Sequence, residues 1–178
     1  MLEIAIGHQL SVITSILGDF ASISATTAIQ YPTATLFDAD RNPTSKTVPV
    51  TTPDHVAFTG IFKSGVFSSV TWRGGIKSTP GRKQLIWEID GEEGSVRMEG
   101  DQLGAAFMNI FDPKLYLNGE IVEVKNTSDR VDNIAAGWAE FAKGEEGDYR
   151  TFEDGVKIHR VMDAILRSAK EGKMIKLE

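Results

Sequence analysis

The sequence predicts an α+β protein: an open, mostly antiparallel β-sheet with helices packed on one face. Three observations predict it. Helical periodicity occurs only towards the two ends of the chain, alternation of period two fills the middle, and short turns join the alternating runs. Parallel βαβ units would interleave strands with helices instead.

Residues 7–17 carry the first helical pattern. Leu10, Ile13 and Leu17 share a face, and Gly18 stands where a glycine stops a helix. Over Ala21–Ile29, small and β-branched residues alternate, with Ile23, Ala25, Thr27 and Ile29 to one side. Residues 38–54 hold three of the six prolines and read as a loop. His55–Lys63 and Val66–Arg73 form a hairpin across Ser64-Gly65, with Val56, Phe58 and Phe62 on one face and Val66, Val70 and Trp72 on one face of the partner.

Gln84–Asp90 alternates around Leu85, Trp87 and Ile89, and Gly91-Glu92-Glu93-Gly94 turns the chain into Ser95–Glu99, where Val96 and Met98 point inward. Leu115–Leu117 and Ile121–Val124 flank Asn118-Gly119, a strong hairpin signal. Helices return over 131–143, with Ile134, Trp138 and Phe141, and over 152–171. The second has an apolar stripe of Ile158, Val161, Met162, Ile165 and Ala169, a start of capping-box type at Thr151 and Asp154, and a stop at Gly172. Met174–Leu177 reads as a last short strand.

The 178 residues and 19.5 kDa fit one domain, taken as 1–178. A chain of this size buries about 70% of its unfolded surface and needs no staple. Zero cysteines exclude a disulfide framework, thiolate metal sites and cysteine nucleophiles. Nineteen basic against 25 acidic residues give a formal charge of −6, which argues against a nucleic-acid partner. No apolar run approaches the ~20 residues that cross a bilayer. The apolar start Met1–Ile6 lacks the basic region and cleavage site of a secretory signal. The expectation is a cytoplasmic or nuclear chain with no membrane partner, in which Asn126-Thr127-Ser128 matches a glycosylation sequon by chance.

The spacing of glycine is the most informative chemical signal. There are 17, yet no two are separated by a single residue, so no G-x-G-x-x-G fingerprint exists and no dinucleotide cofactor is expected on this chain. Gly74–Lys83 has the composition of a phosphate loop but not its spacing, and reads as a basic surface loop. Three histidines are present. His55 opens a strand and reads as a surface residue; His159 borders the apolar stripe of the last helix and reads as packing. His8 follows Gly7 at a helix start after an apolar segment, where outward-pointing N–H groups favour polar chemistry. No two histidines are close in sequence and no H-E-x-x-H occurs, so no metal site is expected. Glu92-Glu93 and Glu145-Glu146 with Asp148 fall in solvated turns. Trp72, Trp87 and Trp138 lie on inward faces, with Trp72-Arg73 at a strand end where they border a site.

Taken in order, these segments resemble the C-terminal domain of the Gfo/Idh/MocA family of NAD(P)-dependent oxidoreductases. Glu3–Gly18 resembles the family's strand, Gly-x-His element and helix ending in Leu-Gly. Asp54–Gly75 resembles the hairpin in which an Asp starts a strand, and Trp87–Met98 resembles the I-x-G-x-x-G hairpin. Phe152–Leu177 resembles the terminal helix, with its E-D-[AG] start and S-A-x-x-G-[KR] finish. Gln30-Tyr31-Pro32 and Gly7-His8 are similar to a fungal branch related to a galactose-metabolism regulatory repressor.

The resemblance implies a two-domain parent whose N-terminal Rossmann domain, absent here, binds NAD or NADP. It implies that the sheet shapes a site for a small carbohydrate and pairs two copies as a homodimer through its face. His8 matches the family's proton-transfer histidine, and His8, Trp72 and Arg73 are the expected substrate contacts. Ser11 stands where Asp is common three residues after that histidine, and Glu3 lies one residue farther from it than the usual acid. These departures resemble the regulatory branch, in which the same module binds a regulatory protein without catalysis. Either way, the chain alone is expected to be inactive.

Overall fold

The structure, a computed structural model, describes residues 2–75, 79–102, 104–106, 113–123 and 130–178, and of residues 2, 3 and 130–133 the backbone alone. The expectations for the Glu3 side chain, Val124, the sequon and the middle of the basic loop at 76–78 lie outside the described residues. The chain folds as two compact units. One is Met1–Ile76 with Phe152–Glu178, and the other is Lys77–Thr151.

The first unit holds α1 (Gly7–Leu17), β1 (Phe20–Ala28), β2 (Thr33–Phe37), β3 (Pro43–Pro49), β4 (His55–Phe62), β5 (Phe67–Arg73), the last helix (Phe152–Glu171) and the final strand (Ile175–Lys176). The second holds β6 (Leu85–Gly91), β7 (Gly94–Gly100), β8 (Lys114–Leu117), β9 (Glu120–Val122) and α2 (Arg130–Ala142). In chain order the last helix is α3 and the final strand β10. Every described strand pairing is antiparallel, so the α+β, mostly antiparallel class read from the alternation is the observed one.

The strands fall into three sheets, ordered β10-β1-β4-β5, β2-β3 and β6-β7-β8-β9. In the first sheet one face is core. Phe20, Ile23, Val56, Phe58 and Phe62 are buried there, and α3 lies over β1 with Val161, Met162, Ala164 and Ile165 buried. The 3.6-residue period of α3 sets this stripe, and the period of two in β1 meets it. α1 packs against α3 and buries Leu10 and Ile13. Gly18 ends α1 with φ 86°, and its amide donates to Thr14 O at 3.0 Å.

Beyond its two residue pairs with β10, the edge of β1 is closed by a side chain. The Ala25 amide donates to Ser168 Oγ at 2.8 Å, and that hydroxyl donates to Lys173 O at 2.7 Å. One buried serine thus ties β1, α3 and the chain after α3 together.

Turn chemistry follows the sequence closely. Gly65 has φ 90° in the β4–β5 turn, and Asn118 and Gly119 have φ 51° and 87° in the β8–β9 turn, the positive pair that twists with the strands.

Four expectations are corrected. Residues 38–54 are not all loop, because β3 pairs with β2 from Thr33↔Pro49 to Phe37↔Pro43. Both faces of this ribbon are exposed, so it has no alternation to read, and its prolines sit at the strand ends where a missing donor costs nothing. The segment before α1 is a π-helical turn, Leu2–Ile6, rather than a strand. Ile134, Trp138 and Phe141 are exposed on α2, with Trp138 66% accessible. In β7 Val96 is exposed, and the buried position is Glu99 on the opposite face.

Candidate functional site

One end of the first sheet gathers polar side chains from three segments. Asp54, immediately before β4, is buried. Its Oδ1 accepts the Gln30 amide at 2.8 Å and its Oδ2 accepts the Tyr31 amide at 2.7 Å. His55 Nδ1 lies 2.7 Å from Oδ1. Burial by itself pushes the Asp54 carboxyl up, but the two amides and His55 outweigh it and hold the group at about 2. The backbone of Asp54 is fixed as well, its amide donating to Ala28 O and its carbonyl accepting the Gly74 amide. A single carboxylate therefore pins the turn after β1 to the start of β4.

Tyr31 closes the arrangement. Its ring centroid is 6.1 Å from that of His55, and a Cβ on Gly75 would lie 2.9 Å from its ring carbons. Gly75 also has φ 70°, so two independent constraints favour glycine there. Across the sheet His55 pairs with Arg73 and Val56 with Trp72.

The expected site residues are placed as follows. Trp72 and Arg73 are neighbours on β5 but point to opposite faces. Half-buried Trp72 shares the core face with Val56, while exposed Arg73 shares the outer face with His55. His8 is exposed on the first turn of α1, and among the described residues no hydrogen bond, ion pair or ring contact joins it to either. Ile6 has helical dihedrals, φ −71° and ψ −39°, so the helix does not start bare at His8 as the sequence suggested. His159 is exposed on α3 rather than packed. Asp54 escaped notice as a site residue because its partners lie 23 and 24 positions away. The sequence signal that existed was the Asp at a strand start in the hairpin resemblance.

The second unit has its own charged cluster. Buried Glu99 accepts from Tyr116 Oη at 3.0 Å and Arg97 at 2.8 Å, and Lys83 Nζ lies 3.3 Å from it and 2.7 Å from Asp101. Burial pushes Glu99 up, yet the three donors together hold it below the ordinary range; the bond to Asp101, ahead of the contact with Glu99, pushes Lys83 up. Lys83, at the end of the basic loop, is thus spent on carboxylates of its own unit.

A nicotinamide nucleotide does not fit these residues. Its pyrophosphate needs a glycine-rich turn between a strand and a helix of a parallel unit, and the described strands pair only antiparallel, around a chain without the glycine spacing. Among the described residues no group of three or more His, Asp or Glu is arranged to hold a metal ion, and no helix is long and apolar enough to cross a membrane.

Comparison with known proteins gives these features a context. The model for the family "Gal80p, C-terminal domain" matches residues 1–100. The galactose/lactose metabolism regulatory protein GAL80 of Kluyveromyces lactis is 33% identical over 121 residues, covering 67% of this chain and 26% of its own length. Dehydrogenase aclE of Aspergillus oryzae is 33% identical over 180 positions, covering 97% of this chain and 47% of its own. A super-repressor mutant of Gal80p from Saccharomyces cerevisiae shares the fold, with a TM-score of 0.81 at 23% identity over 99% of this chain and 49% of that one. Levoglucosan dehydrogenase in complex with NADH and L-sorbose shares it at 0.69 and 20% identity, over 99% of this chain and 50% of that one. The chain spans between about a quarter and about a half of these relatives.

Proposed function

This chain belongs to the Gal80p C-terminal domain family, and from that premise we propose that it is the ligand-binding and dimerising part of a two-domain oxidoreductase acting on a sugar or polyol. The dehydrogenase of Aspergillus oryzae supports the oxidoreductase reading, since its similarity runs over 97% of the chain. Residues 1–178 act as one C-terminal domain in the cytoplasm or nucleus, and NAD or NADP is held by another domain. His8 moves a proton at the substrate hydroxyl. Trp72 lines the cleft from the core side of the sheet, and Arg73 reaches it past the strand end.

The observation that carries dimerisation is the outer face of the first sheet. Ser24, Thr26, Ala57, Thr59, Ser69 and Thr71 are all exposed there and none is charged. A solvent-facing sheet ordinarily carries charge, whereas interface centres are depleted of it. Ile61 and Phe67 add apolar area at one end of this face. A second copy therefore covers it.

The matched domain model and the Kluyveromyces lactis regulator favour a second reading, in which the same module binds a regulatory protein and no chemistry follows. Two measurements test the first reading. Titration of NADPH into this chain, followed by nucleotide fluorescence, should show no saturable binding; micromolar binding would refute the division of labour. Light scattering after size exclusion should give a dimer that Thr59→Lys converts to monomer, and a wild-type monomer at high concentration would refute the interface.

A further inference from the structure

We propose that the outer edge of β2 pairs with the β2 of a second copy, joining two β2–β3 ribbons into one continuous sheet across a twofold axis. Among the described residues β2 pairs with β3 alone. Both strands are exposed apart from half-buried Thr44, and Lys46 is their single charged residue. A two-stranded ribbon without a covered face is marginal in water, yet this one is fastened at both ends. At its root Asp54 holds the Gln30 and Tyr31 amides, and the Val50 amide donates to Pro32 O at 2.9 Å. At its tip Asp38 Oδ1 accepts the Asp40 and Asn42 amides at 3.0 and 2.8 Å.

The two edges of the ribbon differ. β3 carries Pro43, Lys46 and Pro49, residue types by which natural sheets blunt an edge, whereas β2, Thr33-Ala34-Thr35-Leu36-Phe37, carries neither proline nor charge. The register fixes which groups β2 offers. Pro32 and Val50 share a hydrogen bond one step before Thr33↔Pro49. Bonded and non-bonded pairs alternate in an antiparallel ladder, so Ala34 bonds towards Val48, while Thr33 and Thr35 turn their amides and carbonyls outward. These outward groups are self-complementary. With Thr33 opposite the partner's Thr35, and Thr35 opposite the partner's Thr33, each pair exchanges both its hydrogen bonds and every one of those groups is satisfied. The axis then passes between the two Ala34 residues, a non-bonded pair whose Cα atoms approach to about 4.5 Å and whose small side chains fit there. No like charges meet, and one edge serves both sides, as an isologous contact requires. A second copy is also the partner inferred above for the outer sheet face; the ribbon pairing rests on that dimer reading and adds a second contact to it.

The chain has no cysteine, so single-cysteine variants report the contact directly. Ala34→Cys, mildly oxidised, should give a disulfide-linked dimer on a non-reducing gel, while Ser45→Cys on the guarded edge should not. Thr35→Pro removes one outward amide from each copy and leaves the bonds to β3 in place. Light scattering over a dilution series should show its dimer dissociation constant raised about tenfold or more. A wild-type dimer in which Ala34→Cys links no faster than Ser45→Cys would overturn the ribbon pairing and keep the sheet-face dimer. Linking that persists in the Thr59→Lys background would keep the ribbon pairing and remove the sheet face. A wild-type monomer with no linking would overturn both.

Discussion

Gly60 lies towards the end of β4, opposite Ile23 on one side and Ser68 on the other. A methyl group added there would lie 2.5 Å from Phe20 Cε1, 2.7 Å from Phe20 Cδ1 and 3.1 Å from Ile23 Cδ1. The Phe20 ring is 2% exposed, stacked 4.1 Å from Phe62 and set edge-on to Phe58 at 6.4 Å. It cannot swing aside without giving up both contacts. Two effects compete in Gly60→Ala. Alanine in a strand gains about 0.5–1 kcal/mol over glycine. Forcing a methyl group into a packed core costs about 1–3 kcal/mol. Overpacking wins, leaving a net loss of about 0.5–2 kcal/mol, or a few degrees in Tm at about 2–4 °C per kcal/mol. Urea denaturation should show a lower midpoint with an unchanged m value. In a Phe20→Leu background, where the ring is gone, the penalty should vanish. A midpoint equal to or above wild type for Gly60→Ala alone would refute the reasoning, because it would mean that the aromatic trio yields freely.

Ser168→Ala should cost about 1–3 kcal/mol and speed hydrogen exchange at the Ala25 amide, which the hydroxyl now satisfies. Asp54 is held at about 2 against an ordinary 3.8, so its contribution is complete above about pH 4 and is lost as the pH falls through 2; Asp54→Asn should flatten acid unfolding across that window in a circular-dichroism titration. Tyr116→Phe removes a donor from Glu99, so the carboxyl should titrate at higher pH by NMR than in the wild type. Trp138→Ala should change stability by less than about 1 kcal/mol because its ring is exposed, whereas Ile165→Ala, in the fully buried stripe, should cost about 2–5 kcal/mol.

The fold was legible wherever an element buries one face. α3 announces itself because Val161, Met162 and Ile165 must meet a sheet, and β4 because Val56, Phe58 and Phe62 must be buried on one face. The β2–β3 ribbon gave no such sign, since a strand exposed on both faces leaves no periodic trace in its sequence. Trp138 misled for the converse reason. Helical spacing of Ile134, Trp138 and Phe141 states that the three share a face, not that this face is covered. Glu99 was obscured because a buried carboxylate is tolerated only with partners, and those partners, Lys83, Arg97 and Tyr116, sit on two strands and a loop.

The site divides along the same physical line. Period two was enough to state that Trp72 and Arg73 point to opposite faces, so a single small ligand meets both only around the strand end. Pairing alone was needed to go further, because nothing local in the sequence brings His55 opposite Arg73 or lays Gln30 and Tyr31 on Asp54. A turn closed by one ionised carboxylate is an arrangement of backbone donors, and backbone donors carry no residue identity. What they leave visible is the glycine at 75, which any side chain would press into Tyr31, and the aspartate itself at the head of a strand. The position of a charged residue at a strand start is therefore better read as a question about which amides lie across from it than as a surface feature.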